Sequence, residues 1–240
     1  MSGAQPSLDL IIPCFNPEPG WERNLIEHYT KLKSKFESAS LSLIVVDDGS
    51  TQTVNSSSRE ILEEGIEALT YIEYEQNRGK GYALRQGVAE SSSDLIIFTD
   101  VDFPYELESV IAIYNELTAG VDVALGFRQQ EYYIKVPLFR KVLSRILRWL
   151  LKVVLKLEIT DSQCGLKGFN ATGKEIFMKT KINRFLFDLE FVMLLSRKSS
   201  AKATPVLVKL RDGVTFSKVN LKILTGEVMN FFKLVLLNKI

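Results

Sequence analysis

The sequence predicts an α/β fold: a mainly parallel central sheet flanked by helices, with a helical C-terminal portion. Three observations carry that expectation. Short apolar, β-rich runs bounded by turn residues alternate with amphipathic segments through the first 130 residues. Strand–helix–strand repetition implies parallel neighbours joined by right-handed crossovers. A chain of 240 residues that is 46% hydrophobic and 25% charged is long enough for one well-buried core, and its composition excludes disordered, collagen-like and disulfide-scaffold classes.

Taken in order, the expected strands are 8–13, 41–46, 69–74, 94–99 and 121–126, with helices at 21–38, 56–68, 79–91 and 104–118 between them. After residue 130 the rhythm changes. One long helix is expected at 137–157, shorter ones at 171–179 and 185–197, a strand at 203–210 and a last helix at 219–237. No internal repeat or low-complexity linker divides the chain, so 1–240 reads as one domain with a first half, 8–130, and a second, 131–240. Ligands of parallel sheets bind beyond the carboxyl ends of the strands. The loops after Pro13, Val46, Tyr74, Thr99 and Gly126 should therefore converge on one cleft.

Lys plus Arg is 30 and Asp plus Glu is 29, a formal charge of +1 that argues against a nucleic-acid-coating protein. The total hides a split: residues 1–120 carry 8 basic and 20 acidic side chains, the remainder 22 and 9. Such asymmetry hints at a polyanion or a charged surface as partner. Cys14 and Cys164 read as reduced thiols of a cytoplasmic protein. Residues 1–7 lack the features of a secretory signal, and no run reaches the roughly 18 apolar residues of a spanning helix. The chain is expected to be soluble or peripheral at the cytoplasmic face of a membrane. His28 is the sole histidine, which argues against zinc chemistry through His ligands.

Three motifs sit at the expected strand ends. Asp100-Val101-Asp102 follows an apolar strand, and alternation would point both carboxylates one way. Two such groups suit Mg²⁺ or Mn²⁺, hard cations that bridge to substrate phosphates; a solvated acidic turn is the plainer alternative. Asp47-Asp48-Gly49-Ser50 is a turn in which Asp48 either accepts hydrogen bonds from a base or ribose or caps the turn itself. Asn77-Arg78-Gly79-Lys80-Gly81 is either a phosphate-approach loop, with Arg78 and Lys80 supplying charge, or an ordinary helix start. It is not a P-loop, and no dinucleotide fingerprint follows the first strand.

Together with Ile12-Pro13-Cys14-Phe15-Asn16, these motifs resemble the family 2 inverting glycosyltransferases of the GT-A nucleotide-sugar-binding fold. Residues 160–169 and Phe187-Asp188-Leu189-Glu190 resemble the branch that makes dolichyl- or polyprenyl-phosphate hexoses. The resemblance implies a nucleotide-sugar site made by Pro13, Phe15, Asn16, Glu18, Val46, Asp48, Arg78, Lys80, Asp100, Val101, Asp102, Arg128, Arg211 and Lys218, with Asp100 and Asp102 as the metal ligands. Arg211, Ser217 and Lys218 resemble a loop that closes over the donor. Two departures stand out. Asn16 is followed by Pro17 where the family often has Glu, which here comes one place later as Glu18. Pro104 stands where mannosyl members often place a metal-binding Gln, which leaves the third ligand open and favours glucose over mannose.

A sugar-hydroxyl acceptor needs a general base, whereas a phosphomonoester with second pKa near 6 is already largely ionised at pH 7. Asp161, Asp188 and Glu190 are the candidate catalytic acids or bases; the alternative is that Asp161 caps a turn and the other two pair with nearby cations. Lys141, Arg145, Arg148, Lys152 and Lys156 line one face of the helix expected over 140–156, opposite a Leu/Ile/Val face, and no acid occurs from 132 to 157. That pattern fits an anionic membrane surface, or an apolar face packed on the sheet or on another subunit of an oligomer. The expected function is transfer of a hexose from a UDP- or GDP-sugar to a polyprenyl phosphate. The alternatives are extension of a glycan at a sugar hydroxyl and a non-catalytic lipid-surface or partner-binding module.

Overall fold

A computed structural model describes residues 6–36, 39–51, 54, 56–128, 164–198 and 200–212. Within them the strands are β1 (Leu8–Cys14), β2 (Leu41–Asp47), β3 (Leu69–Glu73), β4 (Leu95–Phe98), β5 (Val123–Arg128), β6 (Lys167–Phe169) and β7 (Ala203–Val208). The helices are α1 (Trp21–Lys35), α2 (Ser56–Gly65), α3 (Lys80–Glu90), α4 (Leu107–Thr118), α5 (Ala171–Phe177) and α6 (Phe187–Arg197). The helices expected at 137–157 and 219–237 lie outside the described residues.

One sheet runs in the order β3-β2-β1-β4-β6-β5-β7. Every neighbouring pair is parallel except those of β6, which is antiparallel to both β4 and β5. The sequence reading missed β6, because a three-residue strand made of Lys, Gly and Phe carries neither an apolar run nor an alternation. Pro13 is tolerated in central β1 because β4 pairing stops at Ile11↔Phe98, so past that point the missing N–H costs no ladder bond.

Strand alternation sorts the core into two layers. Leu8, Leu10, Ile12, Leu43, Val45 and Ile97 face α1, α2 and α4. Ile11, Ile44, Val46, Ile96 and Phe98 face α3, α5 and α6. The second layer is aromatic: Phe98, Phe169, Phe177, Phe187 and Phe191 pack with ring centroids 5.2–6.3 Å apart. In α1 the buried positions Trp21, Leu25, His28, Tyr29 and Leu32 recur at helical spacing.

Helix α4 begins three residues later than expected because 104–106 pairs with another segment. The Arg211 N–H donates to the Pro104 carbonyl at 2.9 Å, the Glu106 N–H to the Lys209 carbonyl at 2.9 Å, and Tyr105 bridges Leu210. Strand order reverses between β1 and β4, which opens the ligand crevice at their carboxyl ends.

Insertion of β6 next to β5 requires close backbone approach at Gly126. A Cβ there would lie 2.5 Å from the Leu166 carbonyl oxygen and 2.9 Å from Cys164 Sγ. Gly126→Ala is expected to cost about 1–3 kcal/mol through overpacking, read as a lower urea midpoint at unchanged m-value.

Candidate active site

The loops after β2 and β3 are joined at the crevice through one buried carboxylate. Asp48 Oδ1 accepts from the Tyr74 hydroxyl at 2.7 Å and the Arg78 N–H at 2.8 Å. Its Oδ2 accepts from Asn77 Nδ2 and the Gly79 N–H, both at 2.8 Å. A carboxylate offers about four lone-pair sites, and here the protein fills all four. Asp48, expected either on a base or ribose or as a cap of its own turn, ties the 77–79 loop to the end of β2. Gly49 allows the approach: it has φ +72°, and a Cβ on it would lie 2.6 Å from the Asn77 nitrogen.

The β1 loop is laced to the β2 loop beside it. The Asn16 N–H donates to Ser50 Oγ, the Thr51 N–H to Asn16 Oδ1, and the Ser50 N–H to Asp47 Oδ1, each at 2.9 Å. Asn16 takes a left-handed φ of 44° to do so. Phe15 is 48% exposed next to this brace, and Glu18 is exposed on the same loop. Pro13 and Val46 are buried. The Val46 side chain belongs to the core layer against α3.

Asp100 and Asp102 flank Val101, which packs on the core. Lys80, at the start of α3, forms an ion pair with Asp100. Loss of solvent raises the Asp102 carboxyl above its ordinary range, and the Asp100 charge adds to the rise. Burial pulls the Lys80 ammonium down, but Asp100, Asp188 and Asp102 outweigh it and hold the group above its usual value.

The carboxylate turn is held from below. Phe103 has φ 45°, a conformation costly for a bulky residue, and its buried ring stacks on His28 at 4.8 Å between centroids. Burial lowers the His28 imidazole below its usual value, and its Nδ1 is bonded to the Asn24 carbonyl at 2.7 Å. Arg211 donates from Nε to the Phe103 carbonyl at 2.5 Å and from Nη2 to the Asp102 carbonyl at 2.6 Å. The arginine expected to close over a donor thus grips the backbone of the turn. Arg78 lies across Tyr82 and Tyr74, 4.8 and 5.8 Å from their centroids. Arg128 ends β5 close enough for its charge to bear on the Tyr105 phenol. Tyr105 in turn accepts the Gly165 N–H at 2.9 Å.

Behind Lys80 the charges continue inward. Lys167, fully buried in β6, donates to Asp188 Oδ1 at 2.7 Å and to the Cys164 carbonyl at 2.5 Å. Burial raises the Asp188 carboxyl, against the opposing pull of Lys167 and Lys80. Lys167 was given no role from sequence; a lone lysine between Leu166 and Gly168 in an apolar stretch was the available signal. Glu190 is not gathered with these groups: its Oε2 accepts the N–H groups of Lys181 and Ile182, both at 2.8 Å. Glu190, a candidate acid or base, holds the backbone of that loop. Asp161, Lys218 and the basic segment 140–156 lie outside the described residues.

Removing one partner of a buried ion pair strands the other charge. Lys167→Met is expected to cost about 3–5 kcal/mol in urea unfolding, and the double variant Lys167→Met/Asp188→Leu to recover most of it.

Comparison with known proteins places the chain. Residues 9–181 match the family described as Glycosyl transferase family 2. The dolichyl-phosphate beta-glucosyltransferase of Saccharomyces cerevisiae is 29% identical over 211 residues, covering 80% of this chain and 63% of that protein. The dolichol-phosphate mannosyltransferase of Pyrococcus furiosus is 24% identical over 199 residues, covering 80% and 53%. The chain thus spans less than two thirds of the length of these relatives. The solved glucosyl-3-phosphoglycerate synthase of Mycobacterium tuberculosis, in complex with Mn²⁺, UDP-glucose and phosphoglyceric acid, superposes with a TM-score of 0.62 at 15% identity, over 92% of this chain and 75% of that one. The fold is the GT-A type, and the match over 9–181 makes this chain a member of glycosyl transferase family 2.

Proposed function

We propose that the protein transfers a hexose, glucose in preference to mannose, from a nucleotide sugar to a polyprenyl phosphate. The reaction inverts the anomeric centre and takes place peripherally, at the cytoplasmic face of a membrane. The observation that carries this reading is the Asp100/Asp102 pair at the sheet's switch point, faced by Lys80. The curated relatives that act on dolichyl phosphate support the choice of substrates.

The donor set suits a divalent cation. Burial and the neighbouring Asp100 charge raise the Asp102 carboxyl, a load that a 2+ charge would relieve, and both side chains offer only hard oxygen ligands. Among the described residues no third His, Cys, Asp or Glu joins them, which fits Mg²⁺ or Mn²⁺ taking one or two carboxylates and completing its shell from diphosphate and water. Bound there, the ion would offset charge on the leaving nucleoside diphosphate. Lys80 and Arg78, at the start of α3, are placed to add positive charge, and exposed Phe15 offers an aromatic face to a base. Asp48 works indirectly, by fixing the loop that carries both cations.

Two of the three candidate acids support a phosphate acceptor. Asp188 and Glu190 are bonded inside the protein, one to Lys167 and one to two backbone N–H groups, while Asp161 lies outside the described residues. A phosphate acceptor needs no base at neutral pH, only cations and orientation. Among the described residues no helix is long and apolar enough to cross a membrane.

A panel of UDP- and GDP-hexoses with polyprenyl phosphate and Mn²⁺ tests this. UDP-glucose is expected to give acid-labile lipid phosphate label, abolished by EDTA, and Asp102→Ala to lower kcat/KM by at least about 100-fold. Acid-stable label would mean a hydroxyl acceptor. Turnover that ignores both EDTA and Asp102→Ala would sink the catalytic assignment.

A further inference from the structure

The loop joining α5 to α6 runs over residues 178–186 and has an inner and an outer set of side chains. Thr180, Ile182 and Leu186 are buried. Lys179, Lys181 and Arg184 are exposed, as are Met178 at 38% and Phe185 at 51%. No acid occurs from 176 to 187. Two core charges hold this loop in shape. Glu190 accepts the Lys181 and Ile182 N–H groups, and Arg85 donates to the Ile182 carbonyl at 2.9 Å, to Thr180 Oγ1 at 3.3 Å and to the Asn183 side chain. The loop therefore keeps its form with a large aromatic ring displayed in water beside three cations.

Its position ties it to the crevice. A Cβ on Gly79 would lie 2.5 Å from the Asn183 carbonyl oxygen and 3.0 Å from Arg184 Cγ. One on Gly81 would lie 2.6 Å from the Ile182 carbonyl oxygen. Lys80, between these glycines, reaches Asp100. Whatever docks on Arg184 and Phe185 thus lies alongside the Lys80–Asp100 pair.

We propose that the 178–185 loop is a membrane-contact lip that seats an anionic lipid surface against the mouth of the crevice. The inference rests on the lipid-borne acceptor proposed above and adds a surface separate from the 140–156 segment. Charge complementarity chooses the occupant: cations alternating with single apolar side chains suit a headgroup layer, where amphipathic stems sink and charges stay wet. Two separated apolar residues are too few for the desolvated centre of a stable protein interface.

The test uses the full chain carrying Phe185→Cys, labelled with an environment-sensitive fluorophore; the native thiols Cys14 and Cys164 are buried. Ile61→Cys, on α2 at the opposite sheet face, is the control. With phosphatidylcholine vesicles containing phosphatidylglycerol, the label at 185 should shift to the blue and be quenched by spin-labelled lipid, while the label at 61 stays unchanged. The triple variant Lys179→Glu/Lys181→Glu/Arg184→Glu should lower the vesicle-bound fraction about tenfold, with Phe185→Ser as a second, milder variant. Transfer to a short-chain polyprenyl phosphate in detergent should persist in both. A silent 185 label, or binding unaffected by both variants, overturns the lip. Loss of detergent transfer in the unmodified protein, with the label shift intact, overturns the enzymatic reading instead.

Discussion

The fourfold-accepting carboxylate of Asp48 is the joint on which the crevice depends. It lies just past the end of β2, its own N–H bonded to the Cys14 carbonyl at 2.8 Å, so β1 and β2 fix its place. From there it dictates where the chain travels after β3, and hence where α3 starts. A buried carboxylate saturated by four donors is a rigid element, because no rearrangement keeps all four bonds. Lys80, one residue beyond the last of those donors, inherits its position from that constraint.

Inward from the crevice, carboxylates and cations follow one another: Asp100 and Asp102 first, then Lys80, Asp188 and Lys167. Each cation has a carboxylate partner, and Lys80 responds to three of them. Such a row distributes the desolvation cost of the buried members among several partners. The innermost pair lies against the phenylalanine layer, with Lys167 Nζ 5.8 Å from the Phe98 centroid. The aromatic core and the ionic row are thus neighbours, and each limits how far the other can shift.

Much of the frame was legible in the sequence. The five early strands lie within two residues of their expected bounds, because buried parallel strands write themselves as short apolar runs. Strand β6 was not legible: its partners lie about seventy and forty residues away, and its central glycine exists to admit Ile113 and Leu117 of α4. For the site, position was easier to read than direction. The Asp48 motif marks the strand end, but nothing local says whether its oxygens face a ligand or the protein. Arg211 could not be read either, since its acceptors are carbonyls more than a hundred residues upstream.

The antiparallel placement of β6 has a further consequence. Strand β5 ends, and β6 begins, at the same edge of the sheet as the carboxylate turn. The end of one and the start of the other are both pinned by paired strands. Residues can be gained, lost or exchanged between them without altering the register of any strand. A lineage could thus rewrite one insertion and leave the carboxylate turn at the switch point as it is.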